Sequence, residues 1–188
     1  MKNNNKGYTL VEMVIAVGMM VVISGAILVF LVNGTKSYKN TKSTVDLQLQ
    51  TQTLMAQLET MAMQSQYITY DSSTNTLVFY TPDRTVAKTS DYGTKAASNI
   101  KVVQYDGTKK CLYFKEYDDP DTTIPSIVSD ENLMAEYVES FNANVSKIDT
   151  NGSVKIGVTM KNKIAKFSDT QTFKIRNEVA SGPAVKTP

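Results

Sequence analysis

The chain begins with a long apolar stretch whose length matches a membrane crossing. Twenty consecutive residues, Met13 to Val32, carry no charged side chain, and a helix needs about 20 such residues to cross the hydrocarbon core of a bilayer. Glu12 stands immediately before this run. A carboxylate at the mouth of a membrane segment is costly unless it is paired, so the position predicts a functional acid.

The pattern that follows is amphipathic and still helical. Apolar residues recur at helical spacing between Thr44 and Tyr67, and no proline occurs before Pro82. We therefore predict one helix over residues 8–66, apolar all round in its first half and amphipathic in its second. The predicted stripe comprises Leu47, Leu54, Leu58, Met61 and Ser65.

After Tyr67 the period changes to that of short strands separated by turn residues. Two hairpins are predicted. In the second, Asp106-Gly107 suits a type I′ turn, which favours this pair because both central residues need positive φ. The hairpins pair residues 67–70 with 76–80 and residues 100–105 with 109–114.

The C-terminal third predicts a short helix and two more strands. Residues 133–141 carry an apolar side chain at every fourth position, which is typical of a helix. Apolar and polar residues alternate from Val154 to Met160, and again around Phe173, as in half-buried strands. Two prolines and a glycine in residues 180–188 predict a loose tail. A long helix followed by antiparallel hairpins makes this an α+β protein.

Charge and composition argue against several classes of function. Beyond Asn33 the chain carries 18 basic and 17 acidic side chains, a net charge of +1, which predicts no nucleic-acid partner. Histidine, the commonest general base and metal ligand, is absent. Cys111 is the only cysteine, so no intrachain disulfide can form, and its place within a strand predicts a small core residue. We predict no enzyme activity, no cofactor and no metal.

Two other interpretations bear on these predictions. The three carboxylates of residues 118–121 provide oxygen ligands suited to Ca²⁺, but their spacing fits no EF-hand, so a solvated acidic loop is preferred. The apolar run is too long for the core of a secretory signal, and no Ala-x-Ala-like cleavage site follows it. A plain signal-anchor stays open as an alternative.

The residues around Gly7 resemble the processing site of type IV prepilins and pseudopilins. A short polar leader, Met1 to Lys6, precedes Gly7, and Tyr8 follows it, with Thr9-Leu10 next and Glu12 at the fifth position after the glycine. In that family the leader is cut after the glycine, before an aromatic residue that is usually Phe, and the new N-terminus is methylated. The resemblance implies the pilin fold, in which a long N-terminal helix, transmembrane in its first half, packs on an antiparallel β-sheet region.

The resemblance also divides the chain into five segments. These are a leader at 1–7, a transmembrane and assembly half of the helix at 8–32, an amphipathic half at 33–66, a β-rich globular domain at 67–179 and a flexible tail at 180–188.

The function implied is that of a minor pilin. Such a subunit waits in the cytoplasmic membrane as a single-pass protein and is then assembled into a surface type IV pilus. Its partners would be other pilin subunits, a prepilin peptidase, an assembly platform and membrane lipid. A pseudopilin of a type II secretion or competence (DNA-uptake) machine is the alternative within this class. A single-pass membrane-anchored adhesin or receptor that does not polymerise is the alternative in another class.

Five residues are the candidate functional positions. Gly7 and Tyr8 form the processing site, as substrate of an aspartic membrane peptidase. Glu12 is the assembly residue, expected to pair with the terminal amine of an adjacent subunit; the alternative is an interfacial acid with its head in water. Gly18 and Gly25 lie seven residues apart on roughly one helix face, where small residues allow close packing in membranes. General tolerance of glycine in membrane helices explains these two equally well.

Overall fold

The chain separates into two units, which are described individually. They are Met1–Lys42 and Ser43–Pro188. The computed structural model describes residues 8–82, 97–118, 124 and 132–175.

The helix α1 (Leu10–Gln64) confirms the predicted long N-terminal helix. Every side chain from Tyr8 to Lys42 is exposed. The most apolar 18-residue window of the helix has a mean hydropathy of 2.8, and none of it is buried. By length and composition this part of the helix is able to cross a membrane.

Within the second unit, α1 buries one stripe of side chains. The stripe repeats every three or four residues, which places its members on one helix face. The predicted leucines at 47, 54 and 58 all lie in it, with at most 2% of their surface exposed. Burying a leucine fully contributes about 1.5–3 kcal/mol, so this face holds the helix on the domain. The stripe comprises Ser43, Leu47, Thr51, Leu54, Met55, Leu58 and Ala62.

Five antiparallel strands form the first sheet, and each strand pairs with the next in sequence. Both predicted hairpins are present. In the first hairpin Ile68 lies opposite Phe79, and both side chains are fully buried. The strands are β1 (Tyr67–Asp71), β2 (Thr76–Pro82), β3 (Ala97–Asp106), β4 (Cys111–Tyr117) and β5 (Leu133–Ala135).

The turn between β3 and β4 differs from the prediction. Asp106 pairs with Cys111, which leaves a four-residue loop. The left-handed residue is Lys110, with φ 57°, and not Gly107, so the predicted type I′ turn is wrong. The Asp106 carboxylate accepts hydrogen bonds from the backbone N–H groups two and three residues on, at 2.8 and 3.1 Å. This side-chain turn replaces the tighter backbone turn. Cys111 is partly exposed at the start of β4, so the prediction of a core cysteine is also wrong.

The second sheet has three antiparallel strands with a one-turn helix in one connection. The predicted alternation from Val154 to Met160 is confirmed, since these apolar side chains are buried in the middle strand. The strand predicted around Phe173 is present and starts earlier, at Lys166. The predicted tail lies outside the described residues. The elements are β6 (Val138–Asn144), α2 (Ile148–Asn151), β7 (Ser153–Lys161) and β8 (Lys166–Lys174).

The helix predicted over residues 133–141 is wrong. The segment forms β5 and the start of β6. Tyr137 lies between them with φ 61°, a left-handed conformation that is uncommon for a bulky residue. The Tyr137 carbonyl accepts a hydrogen bond from Lys161 N at 2.8 Å, and Val138 N donates to Lys110 O at 2.9 Å. These long-range hydrogen bonds determine the direction of the chain here. They cannot be predicted from the apolar side chain at every fourth position.

One hydrophobic core joins the buried face of α1 to both sheets. The α+β layout implied by the resemblance, a long helix packed on antiparallel sheets, is therefore confirmed. A smaller cluster of Val78, Ile100 and Val102 lies apart from that core. The main core includes Leu58, Ala62, Ile68, Leu77, Phe79, Val103, Leu112, Phe141, Ile156, Met160 and Phe173.

Tyr105 connects the two sheets, and its hydroxyl is expected to stabilise the fold. The hydroxyl oxygen on β3 lies 2.8 Å from the carbonyl oxygen of Glu139 and 3.1 Å from that of Val138, so it donates to β6. We expect Tyr105→Phe to lower the free energy of unfolding by about 1–3 kcal/mol, because a carbonyl loses its donor. Urea unfolding of the full chain in neutral detergent, followed by circular dichroism, measures the change. The control is Tyr117→Phe, since the buried Tyr117 hydroxyl meets no hydrogen-bond partner in the part of the chain that the structure describes. Equal stability of Tyr105→Phe and wild type would contradict this role.

Glu139 links three strands through two lysines, which predicts a pH-dependent contribution to stability. Its carboxylate oxygens lie 2.9 Å from Lys161 Nζ and 2.7 Å from Lys166 Nζ. These hydrogen bonds lower the pKa of Glu139 from 4.5 to about 2. Because the folded pKa is depressed, the contribution is complete above about pH 4.5 and is lost as the pH falls through 2.

We therefore expect Glu139→Gln to lower the melting temperature at pH 7. The difference from wild type should shrink below pH 4.5 and vanish only below about pH 2, where the wild-type carboxylate also becomes protonated. Glu136→Gln, which removes an exposed acid from the same segment, is the control and should show no such pH dependence. A melting-temperature difference for Glu139→Gln that is constant from pH 7 to pH 2 would argue against the ion pairs.

Candidate processing and assembly site

Thr9 starts the helix in the middle of the predicted processing motif. Its hydroxyl oxygen accepts a hydrogen bond from Glu12 N at 3.3 Å, and its carbonyl oxygen accepts one from Met13 N at 3.2 Å. Thr9 is therefore the N-cap residue, and Glu12 occupies the third helical position. Threonine and glutamate at this spacing form the sequence pattern of a capping box. The same residues that resemble a processing site thus also begin α1.

Glu12 lies in the first turn of α1 with an exposed side chain. The positive end of the helix dipole favours a carboxylate there by about 0.3–1 kcal/mol. No ion pair to Glu12 is formed within the described residues. Its carboxylate is therefore available to a cation from outside this chain.

The other predicted positions are placed as follows. Tyr8 precedes the helix and is 81% exposed, whereas Gly7 lies outside the described residues. Gly18 and Gly25 are on α1, and a Cβ atom built at either would have no atom within 4 Å. Among the described residues, none packs against these glycines. The structure thus brings Tyr8, Thr9 and Glu12 together, and it leaves the glycines facing open space.

The predicted acidic loop is only partly described. Asp118 is exposed at the end of the first sheet, and Asp119 and Asp121 lie outside the described residues. Within residues 8–82, 97–118 and 132–175, no group of three or more His, Cys, Asp or Glu side chains is placed to hold a metal ion. Partial burial raises the pKa of the Cys111 thiol, so the thiol stays protonated at neutral pH.

Thr9 is the residue that sequence reasoning missed. The residues Thr9-Leu10-Val11-Glu12 followed by an apolar run match the signature of a helix start. That signal is therefore present in the sequence.

Comparison with known families agrees with this geometry. Residues 2–28 match the family described as prokaryotic N-terminal methylation motif. This range includes the predicted cleavage position, the cap and most of the apolar run. Comparisons with curated proteins and with solved structures found no match. Residues 2–28 therefore carry the prokaryotic N-terminal methylation motif, which supports a type IV pilin- or pseudopilin-type prepilin.

Proposed function

We propose that this protein is a minor pilin, a structural subunit of a type IV pilus. The observation that carries the proposal is the coincidence of the methylation motif with a helix whose apolar half is wholly exposed. A single chain leaves that half without cover. Membrane lipid covers it before assembly, and neighbouring subunits cover it in the filament. Proteins with this motif are structural subunits rather than enzymes.

Processing is the first step of the proposed function. A prepilin peptidase cuts after Gly7 and methylates the amine of Tyr8, which keeps its positive charge. Two features support cleavage at this position: Tyr8 lies just outside the helix, and the helix begins only after Thr9. The backbone of Tyr8, which follows the cut, therefore lies outside the helix, which supports entry of an extended chain into the peptidase.

Assembly follows through Glu12. The residue lies four positions after Tyr8, a rise of about 6 Å along a helix. Its carboxylate pairs with the terminal amine of the adjacent subunit in the apolar surroundings of the membrane or filament. Breaking one partner of a buried ion pair costs about 3–5 kcal/mol, which is enough to select one register. Gly18 and Gly25 let a neighbouring helix approach closely, because no atom of the described residues lies within 4 Å of a Cβ built at either.

Two alternatives share some of these features. A pseudopilin of a type II secretion or competence machine would carry the same N-terminal segment and the same helix. A membrane-anchored adhesin or receptor that does not polymerise would use the helix only as an anchor. The location of the mature protein separates the three.

The decisive experiment is N-terminal sequencing and intact-mass analysis of protein from sheared surface filaments. We expect a mature chain that starts at methylated Tyr8 and is enriched in the sheared fraction. A chain that starts at Tyr8 but stays in the membrane fraction would favour the pseudopilin. A chain that starts at Met1 or Lys2 would overturn the proposal in favour of a plain anchor.

A further inference from the structure

The outward face of the second sheet has an unusual composition. The apolar residues of β7, such as Val154 and Ile156, point into the core, so the residues between them point outward. The pairing register places the matching residues of β6 and β8 beside them. The outward residues are Ser140, Asn142, Asn144, Ser153, Lys155, Gly157, Thr159, Ser168, Thr170, Thr172 and Lys174, with Lys161 and Lys166 at the far end.

This outward face is a flat layer of hydroxyl and amide groups. At its centre, a Cβ atom added to Gly157 would lie 2.6 Å from Asn142 Oδ1 and 3.2 Å from Thr170 Oγ1. The Asn142 side chain therefore extends across the glycine towards Thr170. Thr159 and Ser168 hydroxyls are 3.1 Å apart in the next row. Among the residues of this face, all of them described, there is no apolar or aromatic side chain.

The backbone brings three lysine residues close to Ser153 at one end of this face. Gly152, whose φ of 63° is left-handed, caps the C-terminal end of α2, and Ser153 N then donates to Lys147 O at 3.4 Å. Lys174 lies directly opposite Ser153 on the neighbouring strand. Lys155 is two residues further along β7 on the same face. Local turn geometry and strand register thus bring together three lysines that are far apart in sequence.

These lysines are not neutralised within the described chain. Lys147, Lys155 and Lys174 are all exposed, and none forms an ion pair in the described residues. Asp149, the acid of α2, interacts with the Tyr67 hydroxyl instead. The opposite end of the sheet shows the contrast, because Lys161 and Lys166 share the carboxylate of Glu139.

We propose that this outward face binds a polyol-phosphate polymer, a chain of phosphodiester-linked polyols. The lysines around Ser153 contact its phosphates, and the Ser, Thr and Asn side chains contact its hydroxyl groups. The nine residues of β8 span about 30 Å at 3.3 Å per residue, which suits an extended polymer. This binding goes beyond the proposed role in assembly and does not depend on it.

The composition of the face argues against other anionic partners. Single-stranded nucleic acids stack their bases on aromatic side chains, and the face has none. Protein interfaces are built around a buried apolar or aromatic centre, which is also missing. A membrane surface would favour apolar side chains between the lysines. In a polymer of alternating phosphates and polyols, the phosphates can pair with the lysines. The polyol hydroxyl groups can form hydrogen bonds with the hydroxyl and amide side chains of the face.

The test measures binding of poly(glycerol phosphate) by the full chain in nonionic detergent at several salt concentrations. We expect Lys155→Gln with Lys174→Gln to weaken binding about tenfold. Affinity falls as salt rises, and a plot of log affinity against log salt should become shallower by about 1.4, since each lost phosphate contact removes about 0.7 from the steepness of the slope. The matched control, Lys39→Gln with Lys163→Gln, removes the same charge from exposed side chains elsewhere and should change affinity less than about twofold.

Two further variants keep the test decisive. Lys155→Arg with Lys174→Arg preserves the charge and should retain binding, which separates lost charge from altered folding. Asn142→Ala with Thr170→Ala should weaken binding without changing the salt slope. The proposal is overturned if the glutamine pair and its control behave alike. Double-stranded DNA bound as tightly as poly(glycerol phosphate) would overturn the choice of polymer.

Discussion

Replacing Glu12 with alanine is expected to give a protein that is cleaved and held in the membrane but is absent from filaments. In the proposed function, cleavage depends on residues 7 and 8 and membrane insertion depends on the apolar run, so we expect neither to change. The variant lacks the carboxylate that we propose pairs with the next subunit's terminal amine. A cost of 3–5 kcal/mol corresponds to a loss of more than about 100-fold in incorporation. Incorporation is measured by quantitative mass spectrometry, as the amount of the variant in sheared filaments relative to its amount in the membrane fraction.

The cap geometry makes a second variant necessary. Glu12 belongs to a Thr-x-x-Glu capping box, so alanine also removes a capping residue. Loss of a cap costs only about 0.5–2 kcal/mol, less than loss of a buried pair. Glu12→Gln keeps the capping pattern but removes the charge, and we expect it to fail like alanine. Glu59→Ala, which removes an acid from the same helix, is the control and should be incorporated normally. Normal incorporation of Glu12→Ala, or full recovery with glutamine, would refute the ion-pair role.

Replacing Gly7 with glutamate is expected to abolish processing. A small residue at the cut lets an extended backbone enter the peptidase, and a long charged side chain blocks it. The membrane protein should then keep its leader, and no chain starting at Tyr8 should be detected by intact-mass analysis. Asn5→Glu adds the same charge within the leader without changing the cut, and it should be processed. Appearance of mature Tyr8 protein from Gly7→Glu at the wild-type level would show that cleavage does not occur there.

The two variants also separate processing from assembly. Glu12→Ala yields mature protein that does not assemble, whereas Gly7→Glu yields an uncleaved protein whose Tyr8 amine is part of a peptide bond. The neighbour's Glu12 then has no ammonium group to pair with. Both variants are therefore expected to be missing from filaments, for different and measurable reasons.

Local patterns in the sequence predicted the elements that depend on local periodicity. The buried leucines at 47, 54 and 58 lie where the helical stripe placed them. The alternation of β7 predicted its buried face correctly, because successive side chains of a strand point to opposite sides. The processing motif was readable for the same reason: it consists of neighbouring residues, and residues 2–28 carry it.

Elements that depend on distant partners were predicted poorly. Residues 133–141 have helical spacing, yet hydrogen bonds from Lys161 and to Lys110 hold them as strands around a left-handed Tyr137. Asp106-Gly107 suggested a tight turn, but the Asp106 carboxylate bonded the backbone of a longer loop. Cys111 was predicted to be a core residue from its place within a strand, and it lies at a partly exposed strand end.

The sequence by itself determined the apolar helix, the short polar leader before it and the motif at its start, because each arises from the order of adjacent residues. Tertiary structure alone decided which lysines meet. Lys147, Lys155 and Lys174 gather around Ser153 only through a left-handed glycine and an antiparallel register. It also decided that Lys161 and Lys166 share Glu139. Ion pairing depends on distance in space, and a one-dimensional pattern of charges does not contain that distance.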